Sequence, residues 1–173
     1  MLFTETKLAG SYVIEIEKLE DERGFFSRSW DTLEFKKKGL ETNFVQCNIS
    51  FNKTKGILRG LHYQKNPHWE TKIIRCTKGR IYDVIVDLRN DSPTKNEWVG
   101  VELTDINHKM IYIPDGFAHG FQTLENNCEV FYQMSKEYNE NSSTGKKWNS
   151  SDFNIIWPIT PPILSKKDKN WNS

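Results

Sequence analysis

The sequence predicts an all-β protein, a sandwich or barrel of short strands. Three observations carry this: apolar and polar residues alternate in stretches from end to end, brief turn-rich pieces separate the stretches, and one segment alone stands out as a helix. The first stretch is 12–17, where Tyr12, Ile14 and Ile16 share one face of an extended chain. The helix comes next. Asp31 supplies an N-cap, Glu34 stands three residues on as in a capping box, Lys36, Lys37 and Lys38 complement the negative end of the dipole, and Gly39 provides a stop. Further strands read at 45–51, 71–77, 80–88, 98–103, 110–113 and 129–134. The end, from Trp157-Pro158 through Pro161-Pro162 to Lys169, is proline-broken and basic and would ordinarily be a solvated extension.

No repeat, low-complexity tract or linker divides the 173 residues, so a single domain over 1–173 is expected. Hydrophobic residues make up 36% and charged ones 27%, and six Trp, six Tyr and ten Phe supply enough apolar surface to exclude a disordered chain. Lys and Arg number 24 against 23 Asp and Glu, a net charge of +1, which leaves no overall field to attract nucleic acid or an anionic membrane. No apolar run approaches the about 18 residues of a spanning helix, and the start lacks a signal peptide's basic and apolar regions, so a cytoplasmic location is expected. Cys47, Cys76 and Cys128 are odd in number and far apart, which argues against a disulfide framework or a zinc knuckle and for reduced core thiols.

The residues able to do chemistry concentrate between Gln46 and Tyr132. In 80–88, Asp83 and Asp87 share a face with Ile81 and Ile85, and an acid facing a barrel interior implies a polar cavity; the alternative is an outward pair on a solvated strand. Gln46, Asn48 and Ser50 likewise share one face of their strand and are candidates to line the same cavity. Two histidine segments carry more weight, Gly56-Ile57-Leu58-Arg59-Gly60-Leu61-His62-Tyr63-Gln64 and Pro114-Asp115-Gly116-Phe117-Ala118-His119-Gly120-Phe121. They resemble the two sequence boxes of the cupin superfamily, double-stranded β-helix (jelly-roll) barrels whose box histidines point inward. A metal-binding cupin needs His-x-His and a downstream Glu, whereas this chain has Gln64 at the second position and Glu70 at a doubtful spacing, so no metal is expected. His68 and His108 read as core or exposed histidines.

A closer resemblance follows from the order and spacing of Asp21-Glu22-Arg23-Gly24-Phe25-Phe26, Gln46-Cys47-Asn48-Ile49-Ser50, Leu58-Arg59-Gly60-Leu61-His62-Tyr63-Gln64, Lys72-Ile73-Ile74-Arg75-Cys76, Asp83-Val84-Ile85-Val86-Asp87-Leu88-Arg89, Ser92-Pro93-Thr94 and the His119 box. From about residue 10 to 170 the chain resembles dTDP-4-dehydrorhamnose 3,5-epimerases. The resemblance implies a cofactor-free cupin-type jelly-roll homodimer with a few short helices. It also implies inversion of the carbons flanking the ketone of a nucleoside-diphosphate-linked 4-keto-6-deoxy sugar. By the same resemblance His62 is the base and Asp168, in a tail over 158–173 that packs near the active site, orients it. Lys72 stands by the C4 oxygen and Tyr132 is the acid on the far ring face. Arg23 and Arg59 bind the diphosphate, His119 binds substrate, Tyr138 stacks on the base, and Asp83 supports. The roles suit the chemistry, because a hydrogen beside a ketone is removed only if the enolate oxygen is stabilised, and inversion needs a donor on the opposite face. Histidine, with an unperturbed pKa near 6.5, suits a base at neutral pH.

Strict alternation puts Arg59 and His62 on opposite faces, so either Gly60 marks a bulge or one assignment is wrong. The 12–17 segment would be an exposed edge strand in a monomer, and the resemblance pairs it with a second subunit. Two positions depart from the family pattern, Arg28 where Glu is usual and Ser143 where an acid is usual. Both belong to the nucleotide end of the ligand, which opens a GDP- or CDP-linked sugar, hexose or heptose, beside dTDP. Two other classes remain to be separated: a metal-dependent cupin oxygenase or isomerase, and a non-catalytic sugar-binding jelly roll.

Overall fold

The computed structural model describes residues 1–171. Among them the chain forms strands β1 (Leu2–Glu5), β2 (Tyr12–Glu15), β3 (Leu19–Asp21) and β4 (Gly24–Phe26), then helix α1 (Thr32–Lys37). There follow β5 (Gln46–Asn52), β6 (Leu58–Gln64), β7 (Lys72–Lys78), β8 (Arg80–Asp87), β9 (Trp98–Thr104) and β10 (Met110–Ile113). The chain closes with β11 (Phe117–Thr123), β12 (Cys128–Met134), β13 (Ser143–Gly145) and helix α2 (Lys166–Lys169). A six-stranded sheet of order β1-β2-β10-β7-β12-β5 faces a five-stranded sheet of order β13-β6-β11-β8-β9, and β3 and β4 form a separate hairpin. This is the cupin-type jelly roll, two antiparallel sheets closed on a shared interior. No helix among the described residues is long and apolar enough to cross a membrane.

The interior is dry at one end. Ile74 and Cys76 of β7, Ile111 and Ile113 of β10 and Val130 of β12 meet Ile81 and Ile85 of β8, Leu103 of β9 and Phe121 of β11, and Tyr132 packs at the margin. Outside the five-stranded sheet, Leu58, Leu61, Val84, Val86 and Ala118 are covered by Phe153 and Trp157 of the C-terminal segment. Part of the six-stranded sheet is covered by α1, whose Phe35 packs on Ile14, Ile73, Met110 and Tyr112. Asp31 caps α1 by accepting the N–H groups of Leu33 and Glu34. The expected capping box is modified: Glu34 takes the Met1 ammonium at 2.9 Å.

Several expectations need correction. Strand β2 ends at Glu15 and is not an edge, because it lies between β1 and β10; the edges of its sheet are β1 and β5. A pairing partner at each side is set by the fold and leaves no mark in the residues of 12–17 themselves. Along β5 and the residue before it the apolar alternation faces outward, with Val45, Ile49 and Phe51 exposed at 47%, 65% and 48%. Cys47 is exposed on the same strand, so only Cys76 and Cys128 are core thiols. Asp83 and Asp87 are both fully buried, but Asp87 serves structure: it accepts from Arg89, Ser92 and Thr94. Burial pushes its carboxyl up, yet these bonds outweigh it and hold the pKa down at about 2.

The Arg59 and His62 conflict resolves at a bulge. His62 pairs with His119 and Arg59 with Phe121, so two residues of β6 oppose the single Gly120 of β11. Gly60 has φ +136, and a Cβ there would lie 2.5 Å from the Gly120 Cα. Only glycine permits so close a backbone approach, and the extra residue turns Arg59 and His62 to one side.

Candidate active site

At the other end of the interior the sheets separate around a polar cavity of about 390 Å³, within the range of small-molecule sites. Gln46 and Asn48 of β5, Lys72 of β7 and Tyr132 of β12 reach it from the six-stranded sheet, and Arg59 and His62 of β6 from the five-stranded one. An adjoining cavity of about 230 Å³ repeats Arg59, His62, Lys72 and Tyr132 and adds Ser50, His119 and Phe121. His62 and Tyr132 therefore stand on opposing walls with Lys72 in the same space.

The His62 Nε2 lies 2.6 Å from Asp168 Oδ1, across 106 residues of sequence. Asp168 is 4% exposed. Its other oxygen accepts from the Ser165 hydroxyl at 2.9 Å, and the Trp171 indole donates to Oδ1 at 3.2 Å. Burial pushes the Asp168 carboxyl up, but its hydrogen bonds and the His62 charge prevail and hold it below the ordinary carboxylate range. An ionised acid on Nε2–H leaves the imidazole's lone pair on Nδ1. The segment that delivers Asp168 is not a solvated extension. Ile163 forms a parallel bridge with Ile57, and the buried Gln122 amide donates to the Ile159 carbonyl and accepts its N–H, at 2.8 and 3.0 Å. Prolines there end regular structure without preventing anchored packing.

Lys72 is 8% exposed, and its ammonium lies 2.7 Å from Glu70 Oε1. Burial, with the Glu70 charge added and Arg59 opposing, pushes the Tyr132 phenol up, which keeps it protonated at neutral pH. Arg59 donates through Nε to Asn52 Oδ1 at 2.7 Å, which aims the rest of its guanidinium. Gln46 accepts the Tyr138 N–H at 2.6 Å, and Tyr138 stands at the rim, 55% exposed. His119 Nε2 meets Asp83 Oδ2 at 2.8 Å. Asp83 lines neither of these two cavities but lies behind His119, and full burial pushes its carboxyl up against the pull of His119 and Lys72.

Two expected residues fall elsewhere. Arg23, on the β3–β4 hairpin, is 82% exposed, pairs with Asp21 and is absent from the cavity walls of its own chain. Arg28 is likewise exposed and pairs with Asp31 at 3.4 Å, whereas Ser143 does line the larger cavity. The hairpin packs through Phe25 on His108, away from this cavity, and linear sequence does not show which side of the barrel it joins. Glu70, Lys167 and Ser165 line the larger cavity without having been singled out for it. For Glu70 the sequence did hold a signal: it stands two residues before Lys72, on the same side of an extended chain. Among the described residues no group of three or more His, Cys, Asp or Glu is placed to hold a metal ion.

An imidazole and a phenol on opposing walls with an ammonium in the same space are able to take a proton from one face of a carbon and return one to the other, which is the chemistry of an isomerase. Residues 5–173 match the family described as dTDP-4-dehydrorhamnose 3,5-epimerase, and the chain belongs to that family. The enzyme of that name from Methanothermobacter thermautotrophicus is 42% identical over 98% of this chain and 92% of its own. The Bacillus anthracis enzyme, crystallised with TDP and PPi bound, superposes with a TM-score of 0.95 at 42% identity, covering 98% of this chain and 97% of that one. A Legionella pneumophila dTDP-6-deoxy-D-glucose-3,5-epimerase in complex with dTDP-4-keto-L-rhamnose gives 0.92 at 35%, covering 99% and 91%.

Proposed function

We propose that this epimerase inverts C3 and C5 of a dTDP-linked 4-keto-6-deoxyhexose, with His62 as base, Tyr132 as acid and Lys72 holding the C4 oxygen. The observation that carries this reading is the placement of His62 and Tyr132 on opposing walls of one space with Lys72 beside them. The imidazole takes the proton of a carbon beside the ketone, the electron pair moves onto the C4 oxygen, and the Lys72 ammonium stabilises the enolate as its charge grows. Tyr132 then gives its phenolic proton to the carbon from the other side. Solvent exchange returns a proton to the phenolate and removes one from the imidazolium, and the same cycle serves both carbons. Asp168 orients the imidazole, with the tail as a working part of the site. Arg59 serves the diphosphate, His119 the sugar, Gln46, Asn48 and Tyr138 the nucleoside end, and Asp83 holds His119.

The nucleotide reading follows the ligands of the two similar crystal structures. Arg28, away from the cavity, gives no ground for another base, and Ser143 is the remaining difference at the wall. Titration calorimetry with free dTDP, GDP and CDP is expected to give dTDP the tightest binding by at least about tenfold, roughly 1.4 kcal/mol. Equal or tighter binding of GDP or CDP would reassign the substrate. Incubation of the keto sugar in heavy water is expected to place deuterium at C3 and C5; no uptake would leave a sugar-binding jelly roll.

The chain is further read as a homodimer. The outward apolar residues of β5, an edge strand, need cover. In such a dimer the exposed Arg23 is read as serving the partner's cavity, where it would give the diphosphate its second guanidinium. Sedimentation is expected to show a dimer, and Ile49→Lys a monomer with weakened dTDP binding; a wild-type monomer with full activity would remove the reading.

A further inference from the structure

Lys72 enters the cavity with its charge already answered. The Glu70–Lys72 pair is nearly dry, with side-chain exposures of 5% and 10%. The second Glu70 oxygen accepts a 2.5 Å hydrogen bond from Gln64 Nε2. That amide is itself committed: it is 3% exposed, donates also to the His68 and Glu137 carbonyls, and accepts the Asn139 N–H at 2.6 Å. A carboxylate held by such an amide is fixed in place, and it fixes the ammonium in turn. An ammonium at this depth without a partner would carry an uncompensated desolvation cost and turn toward water. Of three N–H donors, Glu70 occupies one and leaves two for a ligand oxygen.

We propose that Glu70 is a positioning residue of the epimerisation, the counter-ion that holds the Lys72 ammonium in place and aimed at the oxygen where negative charge develops. The proposal rests on the reading of Lys72 as that oxygen's partner. Glu70 also repels the enolate, but an oxygen hydrogen-bonded to the ammonium is one contact nearer the cation than the carboxylate, and attraction wins with distance. Besides Glu70, the charged and titratable groups that share the cavities with Lys72 are Arg59, His62 and Tyr63 from β6, His119 from β11, Tyr132 from β12, Tyr138 at the rim, Lys167 and Asp168 from α2 and, behind His119, Asp83 from β8. The Glu70 charge adds to burial in raising the Tyr132 phenol. Without that charge the phenol ionises at lower pH, so the alkaline limb of the rate profile moves down.

The test is a double-mutant cycle of Glu70→Gln, Lys72→Met and their combination, with Glu70→Asp beside it, read by kcat, KM and deuterium uptake across pH. Glu70→Gln is expected to lower kcat about 10- to 100-fold with KM within about threefold, less than the about 10²- to 10³-fold for losing the donor itself. The alkaline limb should move to lower pH, and the double variant should be no slower than Lys72→Met. Glu70→Asp, which keeps the charge but shortens its reach, should be intermediate in kcat with the limb unmoved, and it carries the test alone if the Gln variant does not fold. Wild-type or raised kcat in Glu70→Gln, wild-type kcat in Glu70→Asp, or losses that multiply in the double variant would overturn the proposal. Wild-type activity in Lys72→Met would instead overturn the reading of Lys72.

Discussion

Asparagine in place of His62 is expected to abolish hydrogen exchange with solvent at both carbons beside the ketone, with kcat down by about 10³-fold or more. The size follows from the geometry. Asp168 lies 2.6 Å from Nε2 and is held ionised, so it accepts from Nε2–H and leaves the imidazole lone pair on Nδ1 to face the cavity as the base. An amide has no base of comparable strength. Binding should change little, because the cavity keeps Arg59, Gln46 and Asn48. Asp168→Asn serves as the control for orientation: the ring stays but loses its anionic acceptor, and a loss of about 10²- to 10⁴-fold is expected, as when a histidine is left in the wrong tautomer. Proton exchange is read by mass or NMR in heavy water on a variant that still unfolds cooperatively. Full exchange in the Asn variant would end the assignment of His62.

Phenylalanine in place of Tyr132 is expected to separate the two halves of the reaction. The base remains, so exchange at one or both carbons continues, but the proton returns to the face it left and inversion falls by about 10²- to 10⁴-fold. The hydroxyl is the only group removed, and its ring stays against the hydrophobic core, so stability should be nearly unchanged. Burial and the Glu70 charge hold this phenol above its usual value, so wild type should keep its activity to higher pH than an ordinary tyrosine would allow. Retained inversion at wild-type rate would place the acid elsewhere.

The β-character of the chain was open to a residue-by-residue reading because a strand with one dry and one wet face writes its period into the sequence. Strands β5, β7, β8, β9, β10 and β12 stand with ends within a residue of the expected ones, β9 and β12 with mixed burial, β10 as a wholly buried apolar run and β5 with its apolar residues turned outward. Strands β6 and β11 were not marked by alternation. In β6 the bulge at Gly60 breaks the period, and in β11 every residue from Phe117 to Thr123 is buried, so neither face carries a polar code. The hairpin strands β3 and β4 and the short β1 and β13 are too brief to show any period.

Residue chemistry and fold class thus belong to the sequence by itself: the two histidine boxes, the lysine, the tyrosine and the alternating pattern needed no coordinates. Distance and direction did not. The resemblance pairs Asp168 with His62, but the 2.6 Å contact, that Glu70 neutralises Lys72, that Arg59 and His62 face one way, that Arg23 leaves its own cavity and that β2 is covered on both sides all depended on the tertiary structure. The physical reason is that side-chain character is carried by each residue alone, whereas a contact between residues 62 and 168 exists only once two sheets and an anchored tail have closed the intervening chain.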